Sequence, residues 1–161
     1  MMSDYTVLTL GQLEKGQSLP DLSIDVSVTN VVLGALATRD WRPMHHDKDF
    51  AVERNGTRHV FVNTPHNAAY FERYITDWTG PKGRLGKIKF RMKDSVFPGD
   101  TMVFKGVVED LRTDDTGCGW VDISVNLTVG GEVTTACTAS VAIPVADDDN
   151  PWKRKGDDWT P

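Results

Sequence analysis

With 161 residues, 39% of them hydrophobic, the chain is long enough for one packed domain and short for two. Its 18 Lys and Arg face 23 Asp and Glu, a net charge of −5, which argues against DNA or RNA as a partner. Cys118 and Cys137, neither with a Cys-x-x-Cys neighbour, exclude a disulfide framework; no apolar run reaches the roughly 18 residues of a membrane span, and Met1 to Thr9 lacks the features of a signal peptide, so a cytoplasmic protein with reduced thiols and no membrane partner is expected.

In chain order, Ile24 to Val32 alternates weakly and predicts a short strand. Leu33 to Arg39 is small and apolar, and the pattern breaks at Asp40-Trp41-Arg42-Pro43. Asp47 is placed to N-cap a short helix over Lys48 to Arg54, ended by Asn55-Gly56. Val60-Phe61-Val62 is strand-like. The clearest helix follows, with Thr64 as N-cap and Pro65 at the first helical position. Phe71, Ile75 and Trp78 recur at i, i+4 and i+7, with Ala68 and Tyr74 near that stripe, and Gly80-Pro81 stops the helix after roughly 14 residues.

Beyond Gly83 the period changes to two. Ile88, Phe90 and Met92 alternate with Lys87, Lys89 and Arg91. Phe97-Pro98-Gly99-Asp100 predicts a turn, after which Met102, Phe104, Gly106 and Val108 face one way. Val121 to Val129 alternates without a break, Gly130-Gly131 is a hairpin signal, and Val133 to Ile143 returns. Four or so strands in succession predict an antiparallel meander, and the long helix is its natural cover. The class is therefore α+β: a sheet wrapped around a central helix in residues 1–146, followed by a charged tail, 147–161, expected to be extended or disordered, with tryptophans available for docking on a partner.

Asp40 and His45 are the candidate catalytic pair. Pro43 between them forbids a regular helix, so the backbone must turn and can bring both side chains to one spot. An imidazole that titrates near neutrality beside a carboxylate suits general acid–base chemistry. No metal is expected: His45 and His46 are sequence neighbours that point apart, and no matching ligand cluster follows. Neither Gly-x-Gly-x-x-Gly after a strand nor a Walker pattern occurs, so no nucleotide cofactor is expected.

Asp40-Trp41-Arg42-Pro43-Met44-His45-His46-Asp47, followed by Phe50-Ala51, resembles the signature of the MaoC-like (R)-specific enoyl-CoA hydratases. Ser95 to Met102, with its Pro98-Gly99-Asp100-Thr101 core, resembles that family's second recurring stretch. Ala37 to Trp41, His45 to Asp47 and Tyr74-Ile75-Thr76-Asp77-Trp78 are similar to segments of the small MaoC-like chains of steroid side-chain degradation. The resemblance implies a hotdog fold and a hydratase dyad at Asp40 and His45, flanked and supported by Arg42 and Asp47. Two positions depart from the family pattern: Arg39 replaces its Gly and Arg42 its Asn. A guanidinium there is expected to depress the pKa of Asp40 or His45.

The implied reaction is reversible addition of water to a trans-2-enoyl-CoA, a substrate rather than a cofactor. The charge on the thioester oxygen needs fixed donors, which the start of the long helix supplies. Asn63, Thr64, His66 and Asn67 are the oxyanion and positioning candidates: Thr64 as cap, and the amides near His66 and Asn67 as donors. In this fold the helix end often comes from a neighbouring subunit. Lys82, Arg84, Lys87, Lys89 and Arg91 are candidates for the CoA phosphates. An unpaired sheet edge predicts a homodimer or a heteromer with a second hotdog subunit. The competing readings are a non-catalytic hotdog partner, an acyl-thioester binding protein, and a hotdog thioesterase, for which Glu72 is the one carboxylate well inside the helix.

Overall fold

Alternation from Thr101 to Ile143 becomes the centre of a five-stranded antiparallel sheet. The computed structural model describes residues 7–161. In chain order its elements are β1 (Leu22–Asp25), α1 (Val28–Ala37), α2 (Lys48–Glu53), α3 (Thr64–Thr79), β2 (Arg84–Met92), β3 (Thr101–Thr113), β4 (Gly119–Val129) and β5 (Glu132–Ile143). The strand order is β1-β3-β4-β5-β2. The meander expectation holds for β3, β4 and β5, whereas β2 crosses to the far edge and pairs with β5. The segment between β2 and β3 does not close a hairpin, because its backbone bonds lie elsewhere. Lys93 donates to Thr134 O, Val96 O accepts from Val62 N, and Gly99 donates to Val26 O.

Three local expectations change. Strand ends at Asp25, and Val28 onward is α1. Ser27 Oγ accepts from Asn30 N at 3.0 Å and Asn30 Oδ1 accepts from Ser27 N, a reciprocal cap that starts a helix in a Val-rich stretch. Val60 and Val62 are buried, Phe61 is half-buried, and the segment is not a strand. The α3 cap is Asn63, one residue before the expected Thr64. Asp47 caps α2 as expected, accepting from Phe50 N.

The apolar face of α3 sets the core. Phe71 meets Phe104 of β3 edge to face at 5.1 Å and stacks on Phe90 of β2 at 6.0 Å. Contact with strands on both flanks of the sheet order is what wraps the sheet around the helix. Cys137 is a buried free thiol in this core, and burial pushes it up to about 12, so it stays inert.

The tail, 147–161, forms two short 3-10 turns, Pro151–Lys153 and Gly156–Asp158, joined by extended residues, and folds onto the outer sheet face. The physical reason is Trp120, which points away from α3 and would otherwise be exposed. Trp159 covers it at 5.2 Å, and the Arg84 guanidinium lies over Trp159 at 3.5 Å. Gly86 makes room, since a Cβ there would sit 2.5 Å from Trp120 and 2.8 Å from Pro161. Asp114 anchors the same corner, accepting from Trp120 Nε1, Cys118 N and Thr116. Trp159 thus docks on its own chain, while Trp152 is 57% exposed.

Candidate active site

The turn that holds Asp40 is a helix terminator. After α1, Arg39 N donates to Leu36 O at 3.1 Å and Asp40 N donates to Ala35 O at 2.9 Å, with Arg39 at φ 55°. This is the paired 5→2 and 6→1 closure in which the residue between helix and exit is usually Gly. Arg39 takes that left-handed position at a cost of about 1 kcal/mol. The closure locks the backbone of Asp40. Pro43 then opens the 3-10 turn Pro43–His45, whose last side chain swings back to Asp40.

His45 Nε2 lies 3.5 Å from Asp40 Oδ2, with side-chain exposures of 3% and 10%. His45 Nδ1 lies 2.9 Å from Phe61 O. A carbonyl only accepts, so Nδ1 carries the hydrogen and Nε2 of the neutral ring presents its lone pair to the carboxylate. Arg42 grips Asp40 with both arms, Nε to Oδ1 and Nη2 to Oδ2, each at 2.8 Å. Asp40 is held well below the usual carboxylate range, first by the Arg42 hydrogen bonds, against burial, and then by Asn63 and by the positive charge the His45 ring carries when protonated. Of the two groups considered, the guanidinium therefore acts on Asp40.

Asn63 joins the elements. Its Nδ2 donates to Asp40 Oδ2 at 3.0 Å and to Thr38 Oγ1 at 2.8 Å, and its Oδ1 accepts from His66 N at 3.1 Å. One buried amide thus ties the end of α1, the dyad and the start of α3. The helix start beside the dyad is the chain's own.

The expected amide donors are already engaged: His66 N by Asn63 Oδ1, and Asn67 N by Asn63 O. Pro65 has none. Thr64 N has no acceptor among the described residues, which makes it the free amide at this helix end. The His66 ring is wedged against Gly34, where a Cβ would lie 1.9 Å from its Nδ1, and stacks on Tyr70 at 4.4 Å; burial lowers its pKa. Asn67 Nδ2 reaches Thr135 Oγ1 at 3.4 Å, while its Oδ1 is buried without a partner among the described residues.

The other site candidates are not gathered here. Asp47 is used as the α2 cap. Arg84 donates to Pro151 O and Arg154 O under the tail, and Lys82 donates to Asp147 O. These contacts to backbone carbonyls, which no residue type in the sequence marks, tie both side chains to the tail. Lys87, Lys89 and Arg91 are exposed on β2. Glu72 is exposed and has no ion-pair partner among the described residues. Sequence reasoning missed Thr38 and the Phe61 carbonyl. Thr38 lies within Ala37 to Trp41 with no charge to mark it, and a backbone carbonyl leaves no trace in residue types. Among the described residues no group of three or more His, Cys, Asp or Glu is arranged to hold a metal, and no helix is long and apolar enough to cross a membrane.

Fold and site together define a hotdog protein with a histidine–carboxylate pair at the start of its central helix. Residues 12–129 match the MaoC like domain, and the chain belongs to that family. It is 34% identical over 126 residues, 78% of this chain and 95% of the relative, to the 3-oxo-4,17-pregnadiene-20-carboxyl-CoA hydratase beta subunit of Mycobacterium tuberculosis. It is also similar to the crystal structure of the ChsH1-ChsH2 complex from that organism, with a TM-score of 0.73 and 30% identity over 81% of this chain and 98% of that one. The (R)-hydratase from A. caviae involved in PHA biosynthesis shares the fold at TM-score 0.73 and 24% identity, over 82% of this chain and 98% of that chain. The R-hydratase PhaJ1 from Pseudomonas aeruginosa shares it at TM-score 0.76 and 17% identity, over 86% of each chain.

Proposed function

We propose that this chain is the dyad-bearing subunit of a cytoplasmic enoyl-CoA hydratase that adds water to a trans-2-enoyl-CoA, giving a 3-hydroxyacyl-CoA in steroid side-chain breakdown. The observation that carries this reading is the buried pair of His45 Nε2 and Asp40 Oδ2, 3.5 Å apart, beside the free Thr64 amide. A water placed between the pair gives one hydrogen to each and keeps an oxygen lone pair for C3. As the C3–O bond forms, the double-bond electrons move toward the thioester oxygen. The Thr64 N–H and the positive end of α3 favour the charge that develops there. No cofactor enters this scheme.

Lys87, Lys89 and Arg91 are the basic side chains free to meet the CoA phosphates. β2 pairs with β5 on one side only, which supports a second hotdog subunit along its other edge. The exposure of Glu72 on α3 disfavours the thioesterase reading.

The test is loss of enoyl absorbance with crotonyl-CoA and with a polycyclic side-chain enoyl-CoA, for the chain alone and after mixing with a second MaoC-like subunit. Turnover favouring the polycyclic thioester is expected. Absence of turnover on both substrates, alone and mixed, contradicts the proposal and returns the chain to a binding or partner role.

A further inference from the structure

We infer that His45 alone carries both protons of the reaction, while Arg42 keeps Asp40 a carboxylate throughout. The inference rests on the hydratase reading above and concerns which of the two groups moves protons.

The hydrogen-bond inventory around the dyad carries it. Asp40 Oδ1 faces Arg42 Nε. Its Oδ2 faces Arg42 Nη2 and Asn63 Nδ2. All three are donors with no acceptor capacity at those nitrogens. They take three of the roughly four lone-pair sites of the carboxylate and favour its charged form, while among the described residues the lone pair facing it is that of His45 Nε2. Asp40 is therefore held as the carboxylate while Arg42 is in place and is the poorer proton donor of the pair. His45 is the opposite case: its Nδ1 hydrogen is committed to Phe61 O, so Nε2 is the open acceptor. The ring also meets the Phe61 ring edge to face, with centroids 4.7 Å apart, and His66 on α3 is turned toward Gly34 and Tyr70. Asp40, with Arg42 behind it, is the ionisable group facing Nε2.

The step balances on this chain's own atoms. Nε2 takes a proton from water as the oxygen bonds to C3, which leaves an imidazolium beside a carboxylate and an enolate on the substrate. The Nε2–H bond then breaks as C2–H forms, and neutral imidazole returns. Asp40 orients the water and balances the imidazolium. Arg42 is a positioning residue, standing where the resembled family has Asn.

The two ways of dividing the protons have opposite pH dependence. With neutral His45 as base, kcat/KM for hydration rises with pH through one ionisation and stays on a plateau. With Asp40 as base and an imidazolium as donor to C2, activity falls as pH rises. The experiment is the pH profile of wild type and Arg42→Asn in the intact assembly, together with nitrogen-15 spectra of His45 at plateau pH. Wild type is expected to give the rising profile, and His45 the Nδ1–H tautomer with a bare Nε2. Arg42→Asn frees Asp40 to bind protons in the usual carboxylate range, so its acid limb should steepen, with kcat lower by roughly ten- to a hundredfold and KM little changed. A wild-type profile that falls with rising pH, an Nε2–H tautomer, or an Arg42→Asn protein with wild-type kcat and profile overturns the inference. The spectra need no turnover: the expected tautomer in a protein that hydrates no enoyl-CoA removes the hydratase reading, and the proton assignment falls with it. Turnover with the wrong tautomer removes the proton assignment alone.

Discussion

Phe71 and Phe104 meet edge to face in the middle of the molecule, with neither exposed to solvent. At the start of the same helix, Asn63 is as deeply buried but makes three directed hydrogen bonds to three different elements. In the first region stabilisation is spread over apolar area, at roughly 25 cal/mol per Å², and tolerates changes of shape better than changes of volume. In the second, a single donor or acceptor fixes where a reacting group sits. The core therefore decides whether the chain folds, and the segment from Thr38 to Asn63 positions the candidate site. Arg39 shows the difference most directly: the chain keeps a strained left-handed residue one position before its candidate carboxylate, and its only other positive-φ residues among those described are glycines.

Substitutions can break this contrast. Phe104→Ala should cost about 3–5 kcal/mol in urea unfolding, while the folded fraction keeps its activity within a few-fold. A large loss of activity per folded molecule would mean that core and site are not separable. Asn63→Ala should reverse the proportions, with about 1–2 kcal/mol of stability lost through the missing cap and kcat down by about a hundredfold. Thermal unfolding and steady-state kinetics on one preparation read both. A stability loss as large as that of Phe104→Ala with unchanged kcat would put Asn63 in the core class.

Asp114 offers a polar anchor far from the dyad. Burial pushes its carboxyl up, but the bonds from Thr116, Trp120 and Cys118 outweigh it and bring the pKa down to about 2, from 3.8. A depressed carboxylate stabilises the fold above its unfolded pKa, and that contribution fades as pH falls from near 4 toward 2. Asp114→Asn should lose roughly 1–2 kcal/mol at neutral pH and show a flatter acid dependence in that window. A variant with the wild-type acid profile would show that the corner under the tail is not held by this charge. Arg39→Gly should give the smallest effect and the opposite sign. Relief of the left-handed turn outweighs the added freedom of the unfolded chain by a few tenths to about 1 kcal/mol. A drop in melting temperature would mean that the Arg39 side chain makes a stabilising contact.

The strands from β2 to β5 were legible because each buries one face, so period two appears directly in the residues. The end of α3 was legible because Gly80 is needed at positive φ. The meeting of Asp40 and His45 was legible for a different reason: Pro43 forces a turn between them, and the motif resembled a known family. α1 looked like strand because Val28, Val31 and Val32 favour extended backbone, which masked the local Ser27–Asn30 cap that starts the helix. What else stayed hidden was non-local. Arg84 looked free because its partners are the tail's carbonyls and Trp159. The Phe61 carbonyl, which fixes the His45 tautomer, has no residue type to read.

The central claim is that Asp40 and His45 perform the hydration. Its most direct test is steady-state turnover of an accepted enoyl-CoA by Asp40→Asn and His45→Gln, with unfolding curves for both. The account predicts losses of at least roughly 10²- to 10⁴-fold in kcat for each variant, with both proteins folded. Near-wild-type turnover by either folded variant would contradict it.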